Sequence, residues 1–166
     1  MKKRLICFYI FLVLSVATFT FILVQSGLTG SESSEQSGWV SELFIKFVAL
    51  INPDSCIVKN PETTHGVIRK LIGHFGLFAI GGIFTVLTFN FMKGTYKDNF
   101  TIKVISLFSI GLMFAFISEL IQLATPNRAF AFTDVLIDYA GYLSFGGLTY
   151  LFCYLHQRKQ LKEKTT

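Results

Sequence analysis

Four long apolar stretches organise this chain: Leu5 to Val24, Leu71 to Met92, Val104 to Ala124 and Asp134 to Leu155. The first is broken only by Ser15, Thr18 and Thr20. A helix needs roughly 20 apolar residues to cross the hydrocarbon core of a bilayer. The pattern therefore predicts an all-α integral membrane protein with four transmembrane helices and no separate soluble domain. Residues 27–38, GLTGSESSEQSG, are small and polar and read as a flexible linker. Residues 39–51 differ. Trp39, Val40, Leu43, Phe44, Phe47, Val48 and Ile51 recur at helical spacing, with Ser41, Glu42 and Lys46 turned away. This stretch is too short to span, so it is expected as an amphipathic helix lying at the membrane surface in the first outer loop, with Trp39 at headgroup level. Pro53 ends it, and Asp54 to His65 reads as loop, with an Asn60-Pro61 turn and an exposed His65.

The expected divisions are an N-terminal anchor (1–26), an extracellular loop (27–69), a three-helix core (70–155) and a basic tail (156–166). Composition agrees with a membrane protein. Of 166 residues, 52% are hydrophobic and 15% charged, with mean hydropathy +0.56. Soluble domains carry roughly 25% charged residues. Lys2-Lys3-Arg4 before the first span also suits a signal peptide. The apolar core exceeds the roughly 7–15 residues of a signal h-region, and no clean small-x-small site follows, so the span is read as retained. Cys7 and Cys153 lie in apolar spans and Cys56 lies alone in a loop, so neither a disulfide nor a metal pair is implied.

The net charge of +5 is unevenly placed. Lys2, Lys3, Arg4, Lys93, Lys97, Lys103, Arg158, Lys159, Lys162 and Lys164 fall on one side of a four-span chain. Lys46, Lys59, Arg69, Lys70 and Arg128 fall on the other, balanced there by Glu32, Glu35, Glu42, Asp54 and Glu62. The positive-inside rule puts both termini in the cytoplasm of a multi-pass cell-membrane protein. The tail suits anionic lipid, and its juxtamembrane position explains its charge without nucleic acid.

The chemistry concentrates in SELIQLATPNRAFAFTDVLIDYAG, residues 118–141. Glu119 and Gln122 are three apart and share a face of the third span. Asp134 and Asp138 are four apart on the fourth, with Tyr142 one turn further. The short connector makes the two helices antiparallel neighbours, and His74 on the second span can complete the cluster. Ionisable residues at membrane depth are a functional-site hypothesis when partners can be named. One reading is a charge-paired latch, with Arg128 neutralising an acid such as Asp134 and Gln122 bridging the helices. A second is a polar cavity for a lipid-linked or glycan headgroup, Arg128 contacting its phosphate or carboxylate. A third is general acid/base chemistry by His74 with Glu119, Asp134 or Asp138. A divalent-cation site has suitable ligands, but the spacing is weak evidence, and no metal or cofactor is expected. Glycines on the second and fourth spans (Gly73, Gly76, Gly81, Gly82, Gly141, Gly146, Gly147) predict close packing of those two helices.

The segments SSEQSGWVSEL, RKLIGHFGLFAIGG and SELIQLATPNRAFAFTDVLIDYAGY, in that order, resemble the VanZ-like family over roughly Ser31 to Leu155. The family pattern falls on Glu119, Gln122, Arg128, Asp134, Asp138 and Gly141, and its lysine-and-histidine signature on Lys70 and His74. Many members carry an acid and a tyrosine shortly after that histidine. This chain has Gly76, Leu77 and Phe78 there, so a role needing a carboxylate or phenol at that spot loses its support. The resemblance implies a bacterial cell-envelope membrane protein, in a family named for an accessory factor of resistance to the glycopeptide teicoplanin. It implies no settled chemical mechanism. The expectation is a binding or modifying factor whose partners are membrane lipid and a lipid-linked or glycan envelope component. The alternative is an intramembrane enzyme acting on an envelope lipid or polymer.

Overall fold

A computed structural model of the protein describes residues 2–92 and 100–165. All of its regular elements are helical: α1 (Lys2–Ser26), α2 (Gly30–Ile51), α3 (Cys56–Lys59), α4 (Pro61–Ile68), a π-helical segment (Arg69–Gly76), α5 (Leu77–Phe91), α6 (Phe100–Leu123) and α7 (Phe132–Thr165). Lys93 and Lys97, two of the charges used for topology, lie outside the described residues.

Among the described residues, three helices are long and apolar enough to cross a membrane: Lys2–Ser26, Pro61–Phe91 and Thr101–Leu123. The second is continuous through α4, the π-segment and α5, and it begins earlier than the apolar run alone suggests. Pro61 stands at its first turn, where a missing N–H costs nothing. The expected loop before His65 is therefore partly helical, and His65 is half-buried. The fourth long helix, α7, is less apolar. Tyr139, Tyr142, Tyr150 and Tyr154 and several glycines, serines and threonines dilute it, and its final turns are the basic tail.

α5 lies between α1 and α7, and α6 closes the bundle against α7 and α1. On α1 the buried residues are Ser15, Phe19, Ile22 and Ser26, a single stripe at helical spacing, while Leu5, Ile10, Val13 and Val16 face out. Phe19 stacks on Phe114 of α6 with ring centroids 3.9 Å apart, and Tyr142 of α7 lies against the same ring. The predicted glycine packing is present at Gly82, Gly141 and Gly146, whereas Gly81 faces Phe19 of α1 and Gly147 faces open space. A side chain at Gly82 of α5 would run into the carbonyl of Tyr142, and Gly146 lies against Gly82. At the opposite end from the polar cluster, Arg4 donates to the carbonyls of Asn90, Phe91 and Met92, closing the C-terminus of α5.

The expected flexible linker at 27–38 is helical from Gly30 onward. Thr29 and Glu32 form a capping box: the Thr29 N–H donates to Glu32 Oε2 at 2.9 Å, and the Glu32 N–H donates to Thr29 Oγ1. A side chain at Gly30 would press on the carbonyl of Asn127. The amphipathic stretch is thus the second half of a 22-residue helix. Its apolar residues Trp39, Leu43, Phe47 and Leu50 are exposed and Ser41 is fully buried. α2 packs on α3, α4 and the π-segment at the end of the bundle where α6 hands over to α7.

Candidate functional site

Three elements bring the polar residues together: the π-segment, the C-terminal turns of α6 and the first turns of α7. His74 stands at the centre. Its Nδ1 lies 3.0 Å from Asp138 Oδ1 and 4.0 Å from Glu119 Oε1, and its Nε2 lies 3.9 Å from Asp134 Oδ2. When ionised, the Asp138 carboxylate only accepts, and the Nδ1 proton then belongs to that bond. Ser118 Oγ is within reach of both Asp138 Oδ2, at 3.3 Å, and the Ala115 carbonyl, at 2.9 Å. Glu119 and Asp138 are fully buried and Asp134 and Gln122 nearly so.

Each acid has its own donors, as buried carboxylates require. Lys70 Nζ contacts Asp134 Oδ1 at 2.5 Å, and the Thr133 hydroxyl donates to the same oxygen. Gln122 donates its amide to Glu119 Oε1, and the Ala131 N–H donates to Oε2 at 3.1 Å. Gly141 contributes by having no side chain, since a Cβ there would collide with the Phe75 carbonyl. Its absence lets the π-segment approach α7 and sets the span between His74 and Asp138. Tyr142 is buried in the aromatic core rather than in the cluster.

Arg128 departs from the expected pairing. Lys70 takes Asp134, and the Arg128 guanidinium turns instead to the end of α1. Nη1 donates to the carbonyls of Ser26 at 3.3 Å and Gln25 at 3.5 Å, and Nη2 donates to Ser33 Oγ at 3.0 Å. The last carbonyls of a helix are orphan acceptors at the negative end of its dipole, which suits a cation. Asn127 at φ +58° turns the connector so that Arg128 points there. Burial, and after it the nearby Arg69 charge, lowers the Arg128 pKa from its ordinary value.

Arg69 was missed by α-helical spacing. On an α-helix Lys70 and His74, four apart, share a face, and Arg69 does not join them. A π-helix bonds residues five apart, and here Arg69 comes to the same side of the segment as His74. Both line a cavity of about 260 Å³ together with Ser118, Gln122, Arg128 and Asp138. The rest of its wall is largely apolar: Phe21, Ile22, Val40, Ile68, Ile72, Leu77 and Phe78.

The arrangement is capable of two kinds of chemistry besides binding. A carboxylate-oriented imidazole such as Asp138–His74 can move a proton through Nε2. One ligand atom each from His74, Glu119 and Asp134 lie within 4.8 Å of one another, close enough to hold a metal ion. Two of those carboxylates are already engaged by Lys70, Gln122 and Ala131.

No curated protein and no solved structure matches the chain. A family model described as VanZ/LLP1 matches residues 8–154, a stretch that takes in most of α1, the whole polar cluster and most of α7. With nearly its full length covered, the chain belongs to the VanZ/LLP1 family.

Proposed function

We propose that this VanZ-family membrane protein acts in the cell envelope, with four crossings, both termini in the cytoplasm and the polar cluster at the outer end of the bundle. There it binds or alters a surface envelope component and so lowers the effect of glycopeptides such as teicoplanin. The observation that carries the binding part is the cavity beside the cluster. It joins a polar wall, made by Arg69, His74, Gln122 and Arg128, to an apolar wall made mainly by α1 and the second span. Sites for small ligands are mostly apolar with a few placed polar groups, and this cavity has that composition. The outer placement rests on the distribution of lysine and arginine.

The test is deletion of the gene followed by two readings on intact cells: teicoplanin susceptibility and the amount of fluorescent teicoplanin bound at the surface. The expected outcome is greater susceptibility with more antibiotic bound, reversed by the wild-type gene. Unchanged values in both readings would remove the resistance role. Complementation with Asp138→Asn separates binding from proton transfer. A binding site tolerates a neutral isostere that still accepts from His74, whereas acid/base chemistry through His74 does not.

A further inference from the structure

The two arginines beside the cluster are unlike the other buried charges at this end of the bundle. Lys70 is paired with Asp134, and Asp138 is paired with His74. Among the described residues, neither Arg69 nor Arg128 is ion-paired with a carboxylate, and both line the same cavity. Arg128 spends its Nη atoms on the end of α1 and on Ser33, which leaves Nε–H donor capacity on the same planar fork. The Arg69 Nε is buried and has no hydrogen-bond partner among the described residues. A buried donor left unmatched is costly, so a group that accepts from it is favoured there.

The cavity also has a side door. Phe21 and Ile72 line it and are each about half exposed on the flank of the bundle, at 48% and 51%. Exposed apolar side chains of this kind, with Val24 and Leu71 exposed on the same two elements, suit hydrocarbon. The volume of about 260 Å³ falls just below the roughly 300–1,000 Å³ of pockets that enclose a whole small ligand. It fits a headgroup and the start of a chain, with the remainder of the chain leaving sideways.

We propose that Arg69 and Arg128 form a phosphate subsite for a lipid phosphate, its headgroup held by the two guanidinium groups and its chain passing between Phe21 and Ile72. Guanidinium groups match phosphate oxygens with paired, charge-assisted hydrogen bonds. Two like charges in one cavity favour an anion between them. Asp134 and Asp138 already face Lys70 and His74, and Glu119, which accepts from Gln122 and Ala131, does not line the cavity. This subsite deepens the proposed function and rests on its claim that this end of the bundle binds a ligand, but not on the antibiotic link.

The test uses the full-length chain purified in dodecyl maltoside, with thermal unfolding and saturable binding as readouts. The probes are lysophosphatidic acid, the monoacylglycerol of the same chain, and inorganic phosphate. Lysophosphatidic acid is expected to bind saturably and raise the melting temperature, monoacylglycerol to do neither, and inorganic phosphate to bind far more weakly. Arg69→Gln is expected to weaken lysophosphatidic acid binding by about tenfold or more, the effect of losing a charge-assisted hydrogen bond. Its melting temperature without lipid is expected to stay near wild type, since Arg69 Nε has no hydrogen-bond partner among the described residues. Arg69→Lys is expected to recover only part of the binding, because an ammonium lacks the fork. Equal binding of monoacylglycerol and lysophosphatidic acid would overturn the phosphate subsite, as would unchanged affinity in Arg69→Gln. Inorganic phosphate binding as tightly as the lipid would overturn the lipid assignment. A positive result here with unchanged antibiotic binding on cells would leave this inference standing and remove the resistance role.

Discussion

At the scale of single residues, the site is a set of buried charges each matched to a specific donor, and the matching predicts what substitutions do. Asp138 is fully buried, and His74 is its closest partner. His74→Ala is expected to lower stability in detergent by about 3 kcal/mol, the order seen when one partner of a buried pair is removed. Adding Asp138→Asn should restore most of that loss, because the leftover group is then neutral. If single and double variants melt alike, the pair is not coupled. Lys70, His74, Glu119, Gln122, Asp134 and Asp138 were legible in the sequence, since charge on an apolar helix and a spacing of three or four are visible there. The partner of Arg128 was not legible. It depends on the end of α1 and the start of α2 coming beneath the connector, a contact across about 100 residues of sequence. Arg69 was hidden by the π register, which the residue types do not announce.

At the scale of elements, packing and capping decide the outcome. Gly82 and Gly141 face backbone at distances that leave no room for a methyl group, whereas Gly147 faces open space. Gly141→Ala is expected to push the π-segment from α7, destabilise by about 1–3 kcal/mol as overpacking does, and loosen His74 from Asp138. Gly147→Ala should be neutral in the same melting assay, and equal effects would contradict the packing account. The close approach of α5 and the π-segment to α7 could be read from their glycines. The helix at 30–38 could not be read from composition, although its Thr29–Glu32 capping box was present in the sequence. Thr29→Ala should cost about 1 kcal/mol of local helix stability, read as faster hydrogen exchange at Glu32 and Ser33. The cap also predicts a pH dependence. Hydrogen bonds from Thr29 lower the Glu32 pKa below its ordinary value of 4.5. The cap's contribution is therefore complete above about pH 4.5 and is lost as pH falls through the lower folded value. Exchange at the start of α2 should quicken on acidification below that point, and the Thr29→Ala variant should not show the change.

At the scale of the whole molecule, the membrane supplies what the bundle lacks. α1 buries only a narrow stripe, and its other apolar side chains suit hydrocarbon. α7 is the helix whose crossing needs testing, because tyrosines and glycines lower its hydropathy. With four crossings, the exposed Cys56 lies outside and Cys153, near the basic tail, lies at the inner end. An impermeant maleimide on intact cells is expected to label Cys56 and to spare Cys153 until the membrane is opened. Labelling of Cys153 with Cys56 spared would invert the topology. The π-segment gives the second span a last property of its own. The turns before Arg69 and after Gly76 are out of phase with a continuous α-helix. Removing one residue between them, such as Gly73, would let the ladder close as α-helix with the two halves at nearly the same mutual angle, while Arg69 and Lys70 move one position closer in register to His74. The half bearing α5 is locked to α7 through Gly82, so the change of register would fall on the side chains of Arg69 and Lys70. The extra residue therefore works like a keyway: it fixes the register in which the charged side chains meet the packed stem, and a single deletion should spoil the site while leaving the bundle assembled.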